Sequence, residues 1–190
     1  MTTHRYTVTH MGATATMECP DSLFSPRGLD AGTRAMLESV EIAAGSRVLD
    51  LGCGCGIAGI LLAGRLGPQN VFLTDVDPVA VRTARDNAKR NGMETLSVTH
   101  SDGFESFAES EFDHILSNPP YHTDYAIAKH FIMKGFNRLV VGGQLHLVVK
   151  RPQWYRNKLR SIFGGCQVRE KDGYSVLSAT RRQLAYARRR

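Results

Sequence analysis

The chain has 190 residues, 42% of them hydrophobic and 22% charged, which favours one soluble globular domain with a real core. No run approaches the roughly 18 apolar residues of a membrane helix, and the start MTTHRYTVTH lacks the apolar centre of a secretory signal, so neither is expected. The net charge of +6 is split: residues 1–120 carry 9 Lys and Arg against 15 Asp and Glu, residues 121–190 carry 15 against 3, and such a basic final third points to an anionic partner such as nucleic acid.

Two alternating runs, Tyr6–His10 and Thr14–Cys19, predict a small hairpin. A turn-rich stretch over 20–28 leads to a helix from about Leu29 to Glu41. Strands and helices then alternate. Arg47–Leu51 is a strand, Ile57–Leu66 a helix stopped by Gly67-Pro68, and Val71–Thr74 a strand. Pro78 opens a helix over Val79–Asn91, capped by Gly92. Thr95–His100 and Phe112–Ser117 are strands. Tyr125–Val141 is a helix stopped by Gly142-Gly143, and Gln144–Lys150 is a strand. Trp154–Phe163 is a helix stopped by Gly164-Gly165. Gln167–Lys171 and Tyr174–Ala179 flank Asp172-Gly173, a strong hairpin signal. The expected fold is a Rossmann-like, doubly wound, seven-stranded and mostly parallel α/β sheet, with a C-terminal antiparallel hairpin and a small N-terminal β extension.

In such sheets ligands sit beyond the carboxyl ends of the strands. Asp50-Leu51-Gly52-Cys53-Gly54-Cys55-Gly56 lies at such an end and opens a helix. Glycines suit a loop that turns sharply and lets a ligand approach the backbone, although a tight turn without ligand uses them too. Nineteen residues after Gly56, Asp75 ends the next strand, where a carboxylate can hold ribose hydroxyls. The G-x-G-x-G spacing differs from the G-x-G-x-x-G of dinucleotide sites, and Asp50 beside the loop suits a cationic cofactor better than a pyrophosphate. These residues therefore point to S-adenosyl-L-methionine, held by Asp50, Gly52, Gly54, Gly56 and Asp75. Asp102, followed by Gly103, can accept from an adenine amino group, or simply form a turn. Cys53-x-Cys55 lacks the spacing and the second pair of a zinc site, and Cys19 and Cys166 do not supply one; no metal is expected. Four cysteines in a chain this long fit a reduced, cytoplasmic setting. The remaining histidines, His4, His10, His100, His114, His130 and His146, show no ligand spacing.

Asn118-Pro119-Pro120-Tyr121 closes the fourth strand of the sheet. Two prolines fix the backbone and remove donors, which leaves acceptors: the Asn118 side chain and the Pro119 carbonyl. Two acceptors can hold both hydrogens of a planar amino group and aim its lone pair at a methyl donor, while Tyr121 stacks on the carrier. A rigid turn at a strand end is the plainer alternative. His122 adjoins the motif and is a candidate for the substrate side, with a plain surface histidine as the alternative. Arg151, Trp154, Arg156 and Lys158 combine cations with an aromatic ring, as RNA-binding surfaces do; a solvated basic helix face would look similar.

Taken together, FSPRGLDAGTRAML (24–37), DLGCGCG (50–56), LTDVD (73–77) and FDHILSNPPYH (112–122) resemble class I S-adenosylmethionine-dependent methyltransferases. The resemblance is to the methyltransferase small domain family, which includes bacterial ribosomal RNA (guanine-N2)-methyltransferases C and G. It implies a methyltransferase domain over 23–180, an N-terminal extension over 1–22 and a basic tail over 181–190. It implies cofactor contacts by Asp50, Gly52, Gly54, Asp75 and Asp102, and amine capture by Asn118. Phe24 and Asp30 are expected on the substrate side, with Asp30 and Gly32 closing the methionine end of the cofactor. Guanine N2 of ribosomal RNA, free or in a ribosomal particle, is the first expected acceptor. Adenine N6 in RNA or DNA, a protein glutamine amide, and a non-catalytic RNA-binding module remain open.

Overall fold

A computed structural model of the chain describes residues 2–119 and 125–186. It opens with two antiparallel strands, β1 (Thr3–His10) and β2 (Ala13–Pro20). Then follow α1 (Ala31–Ser39), β3 (Val48–Leu51), α2 (Ile57–Leu66), β4 (Val71–Asp75), α3 (Pro78–Arg90) and β5 (Ser97–His100). The second half runs β6 (Phe112–Ser117), α4 (Tyr125–Arg138), β7 (Leu139–Val149), α5 (Pro152–Phe163), β8 (Gln167–Lys171) and β9 (Tyr174–Thr180). Strands β3 to β9 form one sheet in the order β5-β4-β3-β6-β7-β9-β8. The pairs β3–β4, β4–β5 and β6–β7 are parallel, and β9 runs antiparallel to both β7 and β8. The predicted seven-stranded, mostly parallel sheet is thus present, with its closing hairpin and its separate N-terminal pair of strands.

Two compact units divide the chain. One takes the residues up to Asp30 together with Ala43–Phe107; the other takes Ala31–Ile42 and the residues from Ala108 on.

In the first unit, Val48, Leu49, Leu51, Leu73, Ile60 and Leu62 form the core. The hairpin belongs to this unit. Alternate residues of β2 (Ala13, Ala15, Met17 and Cys19) are buried, and β2 packs on α2 and α3. The outer edge of β2 is closed by two side-chain amides, one from Asn87 in α3 and one from its C-cap residue Asn91. Asn91 Oδ1 accepts from the Thr16 N–H at 2.8 Å, and its Nδ2 donates to the Thr16 carbonyl at 2.9 Å. Asn87 repeats this pair on Glu18, at 2.8 and 3.0 Å, and also donates to the Cys55 carbonyl at 3.0 Å. Each amide offers one acceptor and one donor, as a strand residue does. Residues four apart on a helix lie about 6 Å apart, close to the ~6.6 Å repeat of alternate strand residues. The two asparagines therefore act as a short substitute strand and protect an otherwise open sheet edge.

In the second unit, Phe112 and Phe136 are buried, and Phe136 meets Phe163 edge-on at 5.0 Å. His146 on β7 is also buried. Its ring bridges His114 on β6 at 3.0 Å and Ser178 on β9 at 2.8 Å. Burial pushes the His146 ring down to about 3, and the neighbouring His114 adds to this, so the bridge is neutral.

Many element ends shift by one to three residues from the sequence expectation, and the largest departure is at the start of β7. The helix predicted to reach Val141 ends at Arg138, and β7 starts at Leu139. Leu139-Val140-Val141 favours strand, and Leu139 pairs with Phe112 before an irregular stretch returns the register at His114 and Gln144. Gly142-Gly143 is therefore a bulge inside β7 and not a helix stop. A Cβ on Gly143 would lie 2.7 Å from the Phe112 carbonyl oxygen, so only glycine allows this approach.

Replacing Asn87 tests the substitute strand. Asn87→Ala removes the partner of the half-buried Glu18 N–H and carbonyl and of the buried Cys55 carbonyl, and is expected to lower the unfolding free energy by roughly 1–3 kcal/mol in urea titrations. A loss below about 0.5 kcal/mol would contradict the assigned role.

Candidate functional site

In the first unit, three parallel strands end side by side, and each delivers a carboxylate. Asp50 lies on β3, Asp75 ends β4, and Asp102 follows β5.

The glycine loop between β3 and α2 is tied down by backbone and carboxylate together. The N–H groups of Gly52 and Cys53 both donate to the Thr74 carbonyl, at 2.9 and 3.0 Å. Gly54 N–H donates to Asp75 Oδ2 at 2.8 Å, and Asp77 N–H donates to Asp75 Oδ1 at 2.9 Å. Asp75 thus clamps the loop to the tip of β4. Each carboxylate oxygen has room for a second hydrogen bond, so the clamp does not preclude a ligand hydroxyl.

Gly52 and Gly54 have φ of +77° and +56°, a region that suits glycine. A Cβ on either would meet nothing within 4 Å, so open space lies beside this stretch of backbone. Gly56 differs: it is buried at the N-cap of α2, and a Cβ there would lie 3.0 Å from that of Ala84. Its contribution is close packing between the two helices.

Asp50 is buried, with 5% of its surface exposed, and Gly59 N–H in the first turn of α2 donates to its Oδ2 at 2.9 Å. Burial pushes this carboxyl up to about 7; the Gly59 hydrogen bond opposes the rise and the Asp75 charge adds to it. A buried carboxylate with a second one nearby is a strained arrangement that a cation would relieve.

Asp102 is exposed, in a turn where Glu105 N–H donates to its carbonyl at 3.1 Å. Buried Phe104 and Phe107 anchor this turn, and Gly103 within it has φ of +57°. Phe24 stands 61% exposed in the turn-rich stretch before α1, while Asp30 is half-buried. The hairpin reaches the glycine loop from behind: Tyr6 Oη lies 3.9 Å from Cys55 Sγ, and Asn87 holds the Cys55 carbonyl. All four cysteines are free.

In the second unit, Asn118 follows the end of β6. Its Nδ2 donates to Thr33 Oγ1 on α1 at 3.1 Å. This bond engages the amide through its donor nitrogen. Pro119 is buried; Pro120, Tyr121 and His122 lie outside the described residues. Arg151 occupies the N-cap position of α5 without a side-chain capping bond; Arg151 and Arg156 are exposed, whereas Trp154 and Lys158 are half-buried. Thr33 was missed from the sequence, although a polar residue among the buried Gly32, Ala35, Met36 and Leu37 of α1 was a signal. The other missed residue is Tyr125, whose ring stacks on Trp154.

The profile of the methyltransferase small domain family matches residues 15–178. A ribosomal RNA small subunit methyltransferase C from Pseudomonas putida is 37% identical over 164 residues, covering 84% of this chain and 49% of the relative. A ribosomal RNA large subunit methyltransferase G from Aeromonas hydrophila is 34% identical over 169 residues, covering 85% of this chain and 44% of the relative. The chain thus spans about half the length of the curated relatives it matches. Among solved structures, a Thermus thermophilus 16S rRNA N2 G1207 methyltransferase in complex with AdoMet and guanosine superposes with a TM-score of 0.83 at 29% identity. That match covers 95% of this chain and 51% of the other. The chain belongs to the methyltransferase small domain family.

Proposed function

We propose that the chain is an S-adenosylmethionine-dependent N-methyltransferase that modifies an exocyclic amine of a base in RNA, with guanine N2 of ribosomal RNA as the first candidate. The observation that carries this reading is the row of carboxylates at three neighbouring strand ends beside an open glycine loop. A ligand that is both a cation and a nucleoside fits that donor set; a pyrophosphate does not. The relatives named for ribosomal RNA methylation and the Thermus enzyme solved with AdoMet and guanosine support the same reading. An RNA substrate and four free thiols favour the cytoplasm.

The roles follow from the chemistry of each group. Asp50 offsets the cationic end of the cofactor. Asp75 accepts from ribose hydroxyls through oxygens already fixed by Gly54 and Asp77. Asp102 accepts from the adenine amino group. When bound, the cofactor supplies a methyl group activated by a sulfonium. Asn118, oriented by Thr33, accepts from the acceptor amine and holds its lone pair out of the ring π system. Such a reaction needs no covalent nucleophile on the protein, and positioning supplies most of the rate. Pro119 leaves its carbonyl as a second acceptor, Tyr121 supports the flat face of the base, and Phe24, Asp30 and His122 complete the substrate side. Arg151, Arg156 and Lys158 contact phosphates.

Calorimetry with S-adenosylmethionine is expected to give saturable binding that Asp75→Ala weakens at least tenfold. Absence of binding to the parent chain would remove the cofactor assignment. Asn118→Ala should keep that binding and lose at least a hundredfold in methyl transfer, whereas unchanged turnover would remove the amine clamp.

The Asp50 carboxyl gives a pH test. Its folded value is raised from 3.8 to about 7, so the folded chain keeps a proton that the unfolded chain releases. The stability this contributes is complete below about pH 4 and is lost as pH rises through 7. Asp50→Asn keeps an oxygen for the Gly59 N–H and cannot titrate. It should match the parent in stability near pH 4 and exceed it by roughly 1–4 kcal/mol at pH 8, while binding S-adenosylmethionine more weakly. Parallel stability curves for the two proteins would contradict the buried-charge account.

A further inference from the structure

The second unit carries an aromatic stack at the same edge as Asn118. Strands β6 and β7 run parallel, with Ser117 opposite Leu147, so both leave the sheet at one edge. From β6 the chain passes into Asn118 and Pro119, and α4 opens at Tyr125. From β7 it passes through Lys150 and Arg151 into α5. The Tyr125 ring lies flat on the Trp154 indole, with centroids 4.3 Å apart and planes at 15°. Both meet the buried Tyr155 edge-on, at 6.0 and 5.2 Å. The stack is therefore anchored on one side, and yet Tyr125 leaves 44% of its surface exposed. A stack held from one side and partly exposed offers aromatic surface that a ligand ring can extend.

The charge around it narrows the partner. From Tyr125 to Gln167 the sequence contains no Asp or Glu, while Lys129, Lys150, Arg151 and Arg156 are all exposed. Cations on the helices that carry a partly exposed aromatic stack match a nucleic acid strand, whose phosphates take the charge and whose bases take the ring. A base that is methylated on an exocyclic amine must leave its own stack. Its neighbour then loses a stacking partner, and a protein ring at that edge can replace it.

We propose that Tyr125, backed by Trp154, is a stacking subsite for the unpaired base next to the one that is methylated. This rests on the RNA reading above. Tyr125 is a positioning residue: it holds the strand in register and touches no reacting atom.

The test uses the full chain, a fluorescently labelled single-stranded hexaribonucleotide with one guanine, and anisotropy across a salt series. Tyr125→Ala and Tyr125→Leu should each weaken RNA binding about tenfold, the effect of losing one base–aromatic stack. Tyr125→Phe should bind as the parent does. Stacking neutralises no phosphate, so the slope of log affinity against log salt should be the same in all four proteins. Calorimetric affinity for S-adenosylmethionine should also stay at the parent value, which reads the fold independently. RNA binding by Tyr125→Leu within twofold of the parent overturns the subsite alone, as does loss of binding in Tyr125→Phe. Failure of the parent to bind any RNA while it binds S-adenosylmethionine overturns the RNA reading and the subsite with it.

Discussion

The Asp75 carboxylate joins the two turns that flank the end of β4. One oxygen takes the Gly54 N–H and the other takes the Asp77 N–H. The first bond holds the glycine loop against the end of β4; the second fixes the turn that starts α3, where Asp77 caps the helix through the Val79 N–H. Gly52 and Gly54 adopt positive φ and contribute no side chains, so the loop borrows its rigidity from this carboxylate, from the Thr74 carbonyl, from Asn87 on the Cys55 carbonyl and from the buried Cys53 and Cys55. A glycine-rich loop without these bonds would sample many conformations, at a cost of about 1–2 kcal/mol per residue to fix again on binding. The loop is instead held ready.

The N-terminal hairpin gains its meaning from the same loop. It is a two-stranded sheet too small to persist alone. It persists because β2 is sandwiched on α2 and α3 and its free edge is satisfied by Asn87 and Asn91. Asn87 also holds the Cys55 carbonyl, so the support of the hairpin and the support of the glycine loop share one side chain. Asp50 adds the opposing tendency. A buried carboxyl raised to about 7 weakens the fold at neutral pH, a cost that the cationic end of the proposed cofactor would relieve.

Much of this was legible in the sequence because glycine and proline punctuate it. The bounds of α2, β6 and β8 agree with expectation to the residue, and Pro78 and Gly92 frame α3. The α4–β7 boundary was not legible, because Gly142-Gly143 reads as a helix stop and only the pairing with Phe112 reveals a bulge. Asp50, Asp75 and Asp102 were legible as strand-end carboxylates, since the alternation alone puts them at one edge. Their hydrogen bonds were not, because the clamp of Asp75 on Gly54 depends on loop geometry. Contacts between residues far apart in sequence escaped altogether: Thr33 with Asn118, Asn87 with Glu18, Tyr125 with Trp154. Each joins side chains whose types have ordinary uses where they stand.

The acidic first part of the chain carries the carboxylate row, and the basic final third carries the cationic, aromatic edge next to Asn118. A cationic cofactor on one and an anionic strand on the other would account for that division. The identity of the methylated nucleoside tests this most directly. The chain is incubated with methyl-tritiated S-adenosylmethionine and total RNA, ribosomal subunits, DNA and protein from cells lacking its gene, and labelled RNA is digested to nucleosides. The account predicts label in RNA, recovered as N2-methylguanosine and absent with Asn118→Ala. Label confined to protein, or recovered as N6-methyladenosine, would contradict it.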